Sequence, residues 1–132
     1  MKIVGIIGPY FSHGDRRMID INIANARLVM RTIADHFGES KLIGFFCPHS
    51  HTSKFEREAN APETYYHTMD AEIYSKACDG FVVLPTWETS SGSKRDVELV
   101  QAVLRKKIVF LPAYGTMDLK LMLGELEQWA KE

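Results

Sequence analysis

Four small residues, Ser90-Ser91-Gly92-Ser93, stand directly before a helical pattern, and a carboxylate, Asp96, follows within its first turn. Small side chains and free N–H groups at a helix N-terminus suit an anion, because unpaired donors and the helix dipole both favour negative charge. A short apolar run, Gly80 to Leu84, precedes the loop, so the turn lies at the end of a buried strand. Strand-to-helix turns of this kind hold phosphates in α/β proteins. An anion anchor and a candidate nucleophile are then neighbours. The plainer reading is a polar turn, since the run matches neither the G-x-G-x-x-G fingerprint nor the P-loop.

On a helical wheel from Ser93 to Arg105, at roughly 100° per residue, Val97, Leu99, Val100, Val103 and Leu104 share an apolar face. Asp96 falls near the middle of that face and Glu98 on the opposite side. An acid facing a core is costly unless something requires it. Two readings of Asp96 stay open: a capping box, with Ser93 as cap and Asp96 reaching back to its N–H, or a catalytic carboxylate. Glu98 reads as a solvated acid.

Other residues with chemical potential border the same region. Gly8-Pro9-Tyr10-Phe11-Ser12 sets two aromatics just beyond a strand end, to wall a pocket or to cover core. Trp87 stacks on a base or lids the sheet edge. Asp15 and Arg16 read as solvated, with Arg16 able to reach a phosphate. His49 and His51 form an H-x-H pair without an obvious third ligand, so no metal is expected. His67 and Asp70, three apart on a helix, can meet a ligand together or make a surface contact.

The elements that must position these groups alternate along the chain. Apolar runs at Lys2–Gly8, Leu42–Cys47, Phe81–Leu84 and Lys107–Leu111 read as strands. Helical patterns cover Met18–Phe37, with Gly38 as its stop, then Glu63–Ala77, Ser93–Arg105 and Thr116–Lys131. His49 to Pro62 shows no clear period, as functional or mobile loops do. The alternation predicts one α/β domain over residues 1–132, a flavodoxin-like or Rossmann-like three-layer sandwich on a mainly parallel sheet of four to five strands. Right-handed crossovers gather Gly8–Asp15, Pro48–His51 and Pro85–Ser93 along one edge, the expected ligand site.

The bulk numbers agree. The chain has 132 residues, 45% apolar and 25% charged, as ordinary globular domains do. A formal charge of −1 gives no field that favours nucleic acid polymers or acidic membranes. The first apolar run is too short for a signal peptide core or a membrane span. Cys47 and Cys78 form no CxxC pair and read as buried reduced thiols of a cytoplasmic protein.

Taken together, these residues resemble the nucleoside 2-deoxyribosyltransferase superfamily, including its nucleotide N-glycosidase branch. The likeness spans most of the chain. It rests on Gly8-Pro9-Tyr10, on Asp70-Ala71-Glu72-Ile73 leading to Cys78-Asp79, and on Val83-Leu84-Pro85-Thr86-Trp87-Glu88 before Ser90-Ser91-Gly92. A helix carrying Asp96, Glu98, Leu99 and Ala102 completes it. The family's nucleophile is a Glu four residues after the loop glycine, which corresponds to Asp96, one methylene shorter. A second register, through Glu-Leu-x-x-Ala, selects Glu98; agreement with the wheel favours Asp96. Asp70 corresponds most nearly to the family Asp that orients the sugar or donates a proton, and the Ser/Gly loop to a 5′-phosphate site. The resemblance implies cleavage or transfer at the N-glycosidic bond of a nucleoside or nucleoside 5′-monophosphate, with no metal or organic cofactor and with a homodimer or higher oligomer. A non-catalytic nucleotide-binding or sensor module is the alternative.

Overall fold

In the computed structural model, which describes residues 1–132, the elements run β1 (Lys2–Ile7), α1 (Arg16–Phe37), β2 (Ile43–Phe46), α2 (Pro48–His51), α3 (Glu63–Ala77), β3 (Gly80–Val83), α4 (Ser91–Glu98), β4 (Lys107–Phe110) and α5 (Thr116–Ala130). The four strands form one sheet in the order β2-β1-β3-β4, and every pair is parallel. Side chains alternate across the central strands. Val4, Ile6, Val82 and Leu84 pack with Ala26, Val29 and Ile33 of α1 and with Met122 and Leu126 of α5. Ile7, Phe81 and Val83 turn to the other face, against Tyr74 of α3 and Val97 and Val100. Burial on both faces is why these strands read as continuous apolar runs. The result is a flavodoxin-like three-layer α/β fold.

Several boundaries differ from expectation, each for a local reason. Asp15, read as solvated, is the N-cap of α1: its Oδ1 accepts from the N–H of Arg17 at 3.0 Å and of Met18 at 3.3 Å, satisfying donors the helix leaves unpaired. α1 does not stop through Gly38, which keeps right-handed helical angles. The left-handed residue is Lys41 (φ 58°), whose N–H returns to the Phe37 carbonyl. After α4 the chain winds as a π-helix over Leu99–Leu104. The wider turn breaks the 100° phase, so Val103 leaves the apolar face and is 68% exposed. The aperiodic stretch after β2 holds α2 and a 3₁₀ turn at Phe55–Arg57.

Both cysteines are free and buried, and burial raises each thiol to about 11. No helix is long and apolar enough to cross a membrane.

The topology itself opens a crevice. From β1 the chain crosses to β2 on one side, and β3 joins β1 on the other, so the connections leaving β1 and β3 diverge at their carboxyl ends. The two exits nevertheless pack tightly below the crevice. A Cβ at Gly8 would lie 2.6 Å from Leu84 Cδ1 and 2.7 Å from Leu84 Cβ. Only glycine permits that approach.

Candidate active site

A cavity of about 650 Å³ occupies the crevice. Its walls come from the β1 exit (Gly8, Pro9, Tyr10, Phe11), from His49, Thr52, Phe55 and Glu56 after β2, from α3, and from the turn into α4. The three segments expected at this edge therefore meet there, and α3 closes the remaining side with Glu63, Tyr66, His67, Asp70 and Tyr74.

The turn begins α4 two residues earlier than the sequence suggests. Ser90, rather than Ser93, is the N-cap, and its Oγ accepts from the Ser93 N–H at 3.2 Å. This overturns the capping-box reading of Asp96, which now lies beyond the first turn and makes no bond to the Ser93 backbone. The N–H groups of Ser91 and Gly92 have no acceptor within the chain. Ser93 Oγ is buried without a partner in the wall of the cavity.

Asp70 and Asp96 both face this cavity. Asp70 is 8% exposed, and one of its oxygens, Oδ1, is enclosed without a hydrogen bond. Burial raises its carboxyl to about 6, against the pull of His67 and His51. Asp96 also rises to about 6, chiefly by burial and further through the Asp70 charge, while His67, Arg95 and Tyr74 oppose the shift. An acid beyond the first helical turn gains little from the dipole. Tyr74, fully buried, points its hydroxyl at Asp96 Oδ2 over a long 3.5 Å. Burial and both carboxylates push the phenol well above its ordinary value, so it stays a donor. The Asp70 charge thus adds to burial in holding the Asp96 carboxyl up.

On the opposite wall, polar contacts set the β1 exit. Asn22, buried on α1, donates to the Tyr10 carbonyl at 2.9 Å and to Ser12 Oγ at 3.0 Å. The Tyr10 hydroxyl donates to the Glu56 carboxylate and accepts from the Lys54 N–H. His49 lies edge-on to Tyr10, and its Nε2–H donates to the Pro9 carbonyl at 2.6 Å. A carbonyl only accepts, so that bond fixes the tautomer. Burial lowers the His49 pKa and keeps the ring neutral, and Nδ1 is enclosed without a partner. His51 turns away to pack on Phe46. No group of three or more His, Cys, Asp or Glu is arranged to hold a metal ion.

Trp87, Glu98, Arg16 and His51 stand outside the cavity. Trp87 packs on Phe110, ring centroids 5.7 Å apart, and covers the β4 edge. Glu98 is exposed, as the wheel places it. Tyr74, Asn22, Glu56 and Glu63 are site residues that sequence reasoning passed over. Tyr74 and Glu63 carry a signal, one four residues after Asp70 and the other four before His67 on the same helix. Comparison with protein-family models, with curated proteins and with solved structures brings out no match.

Proposed function

We propose that this cavity binds a nucleoside or nucleoside 5′-monophosphate and breaks or transfers its base–sugar bond, as in the nucleoside 2-deoxyribosyltransferase superfamily that the chain resembles. One observation carries the reading: Asp70 and Asp96 converge in a single cavity at the point where the sheet's connections diverge, both held near pH 6 by burial. Cleaving an N-glycosidic bond builds positive charge on the sugar ring, as in glycoside hydrolysis. The ionised Asp96 stabilises that charge and captures the anomeric carbon. Asp70, beside it, orients a sugar hydroxyl. The unpaired N–H groups of Ser91 and Gly92 and the enclosed Ser93 hydroxyl supply donors for a 5′-phosphate. Tyr10, Phe11 and His49 wall the opposite side, where a base fits.

The test is free base released from a panel of nucleosides and monophosphates, read by chromatography, with base exchange scored in parallel. Turnover that Asp96→Asn abolishes and Glu98→Gln preserves is the expected result. No release and no exchange from any substrate would overturn the enzymatic reading. Saturable binding without turnover would then favour the sensor reading, which the short reach of Asp96 compared with Glu supports. The resemblance adds a homodimer or higher oligomer, measurable by light scattering.

A further inference from the structure

The turn into α4 holds a notch with a cation beside it. Gly92 lies inside α4 at negative φ, so nothing in its backbone requires glycine. A Cβ there would enter a space walled by His67 Cε1 at 3.5 Å, an Arg95 guanidinium nitrogen at 3.8 Å and Ser90 Oγ at 4.0 Å. The unpaired N–H groups of Ser91 and Gly92 belong to the same turn. Ser93, only 3% exposed, keeps its hydroxyl without a partner in the same wall. Arg95 is exposed, and its charge acts on both Glu63 and Asp96, yet it makes a salt bridge with neither. His67 takes up the Glu63 carboxylate instead, with Nε2 2.9 Å from Oε1. An unpaired guanidinium beside unpaired donors and a missing side chain suits an anion with several oxygens. The nucleophile stands at a matching distance. Gly92 and Asp96 are four residues apart on one face of α4, about 6 Å along its axis. A single pentose ring spans such a distance between a 5′-phosphate and C1′.

We propose that Arg95 and the notch over Gly92 bind the 5′-phosphate and make the substrate a nucleoside 5′-monophosphate rather than a nucleoside. The inference rests on the function proposed above and names the side chain that separates its two substrate classes. Arg95 supplies the countercharge, and the N–H groups of Ser91 and Gly92 take phosphate oxygens on the floor of the notch. Residue 92 is glycine because a methyl group would fill the space of one of those oxygens. With the phosphate seated there, C1′ lies beside Asp96, one turn further along the helix. A nucleoside leaves the notch empty and Arg95 without a partner.

The full-length chain and its Arg95→Gln, Arg95→Lys and Gly92→Ala variants are compared on the common nucleosides, their 5′-monophosphates and inorganic phosphate. Base release gives kcat/KM, and calorimetry gives affinity, with Asp96→Asn added there so that no substrate is consumed. The best monophosphate should bind at least about 10²-fold more tightly than its nucleoside. Arg95→Gln should cut that preference about 10–10²-fold, the worth of hydrogen bonds to a charged group. Arg95→Lys should restore part of it, since lysine keeps the charge without the fork. Gly92→Ala should cut the preference at least about tenfold and melt no lower than wild type, because alanine suits a helix better than glycine. Equal affinity for nucleoside and monophosphate, or a preference that survives either Arg95→Gln or Gly92→Ala, would overturn the phosphate site while the reaction stands on nucleosides. Binding of inorganic phosphate with no gain of monophosphate over nucleoside would overturn it as well. A preference that both substitutions remove, with no base released from any compound, keeps the site and ends the enzymatic reading. If no compound binds, both fail.

Discussion

Replacing Asp96 by Asn should make the protein more stable at neutral pH while it ends the chemistry. Burial is the largest cause lifting Asp96 from 3.8 to about 6. Between those values the folded chain binds more protons than the unfolded one. Stability therefore falls as pH rises from about 4 to about 6 and stays lowered above that. Some two units at about 1.4 kcal/mol each set a ceiling of about 3 kcal/mol. The side chain is partly exposed and titrates together with Asp70, which reduces the expected gain to about 1–2 kcal/mol. At about 2.1 cal/mol/K per residue over 132 residues, Asn should raise Tm by about 4–7 °C at pH 7.5. The gap should close toward pH 4, where wild-type Asp96 is itself neutral. Calorimetric melts of both proteins from pH 4 to 8, with base release measured on the same preparations, make the assay. A capping acid predicts no gain, since Asn caps about as well as Asp. A lower Tm for the variant at pH 7.5, or a gap that persists at pH 4, refutes the reasoning.

Other substitutions test the frame around the site. Gly8→Ala forces a methyl group onto the buried Leu84 side chain and should cost about 1–3 kcal/mol by denaturant midpoint. Gly124→Ala in α5, where nothing lies within 4 Å, should instead stabilise by about 0.5–1 kcal/mol. Lys106 Nζ donates to the carbonyls of Tyr74, Ser75 and Cys78 at the end of α3. Lys106→Met should cost about 1.5–3 kcal/mol in urea unfolding, the worth of hydrogen bonds to a charged group. Ser90→Ala should cost about 1 kcal/mol as a lost cap, whereas Ser93→Ala should be neutral or slightly stabilising without ligand, since its hydroxyl is buried unpaired. Equal losses for the two serines would contradict the cap assignment.

The strands and the edge where the loops gather were legible because strands buried on both faces have a compositional signature and parallel connections have a fixed hand. The inward turn of Asp96 and the outward turn of Glu98 followed from the wheel over the part of the helix that is truly α. Past Glu98 the same wheel fails, since it presumes an α period. The cap could not be chosen by composition, because Ser90, Ser91 and Ser93 all have capping chemistry. Where the chain leaves β3 decides it. Trp87 adjoins the loop in sequence, yet it lies over Phe110 beyond a left-handed Thr86 (φ 62°). His49 and His51 separate because two residues on a helix diverge by roughly 200°. Tyr74 hid in α3 because that helix carries apolar side chains on exposed and buried sides alike, with Tyr65 57% exposed and Tyr74 fully buried.

The π-helix at Leu99–Leu104 has a consequence for how the chain tolerates changes of length. A turn closed by i→i+5 bonds holds one residue more than the α-helical turn that would replace it. Loss of one residue from this stretch, Gln101 for instance, tightens the turn to α and brings Val103 back toward the covered face, leaving Ser91–Glu98 and Lys107–Phe110 in place. The slack sits downstream of Asp96. The half of the helix that faces the cavity is therefore insulated from insertions and deletions in the half that returns the chain to the sheet.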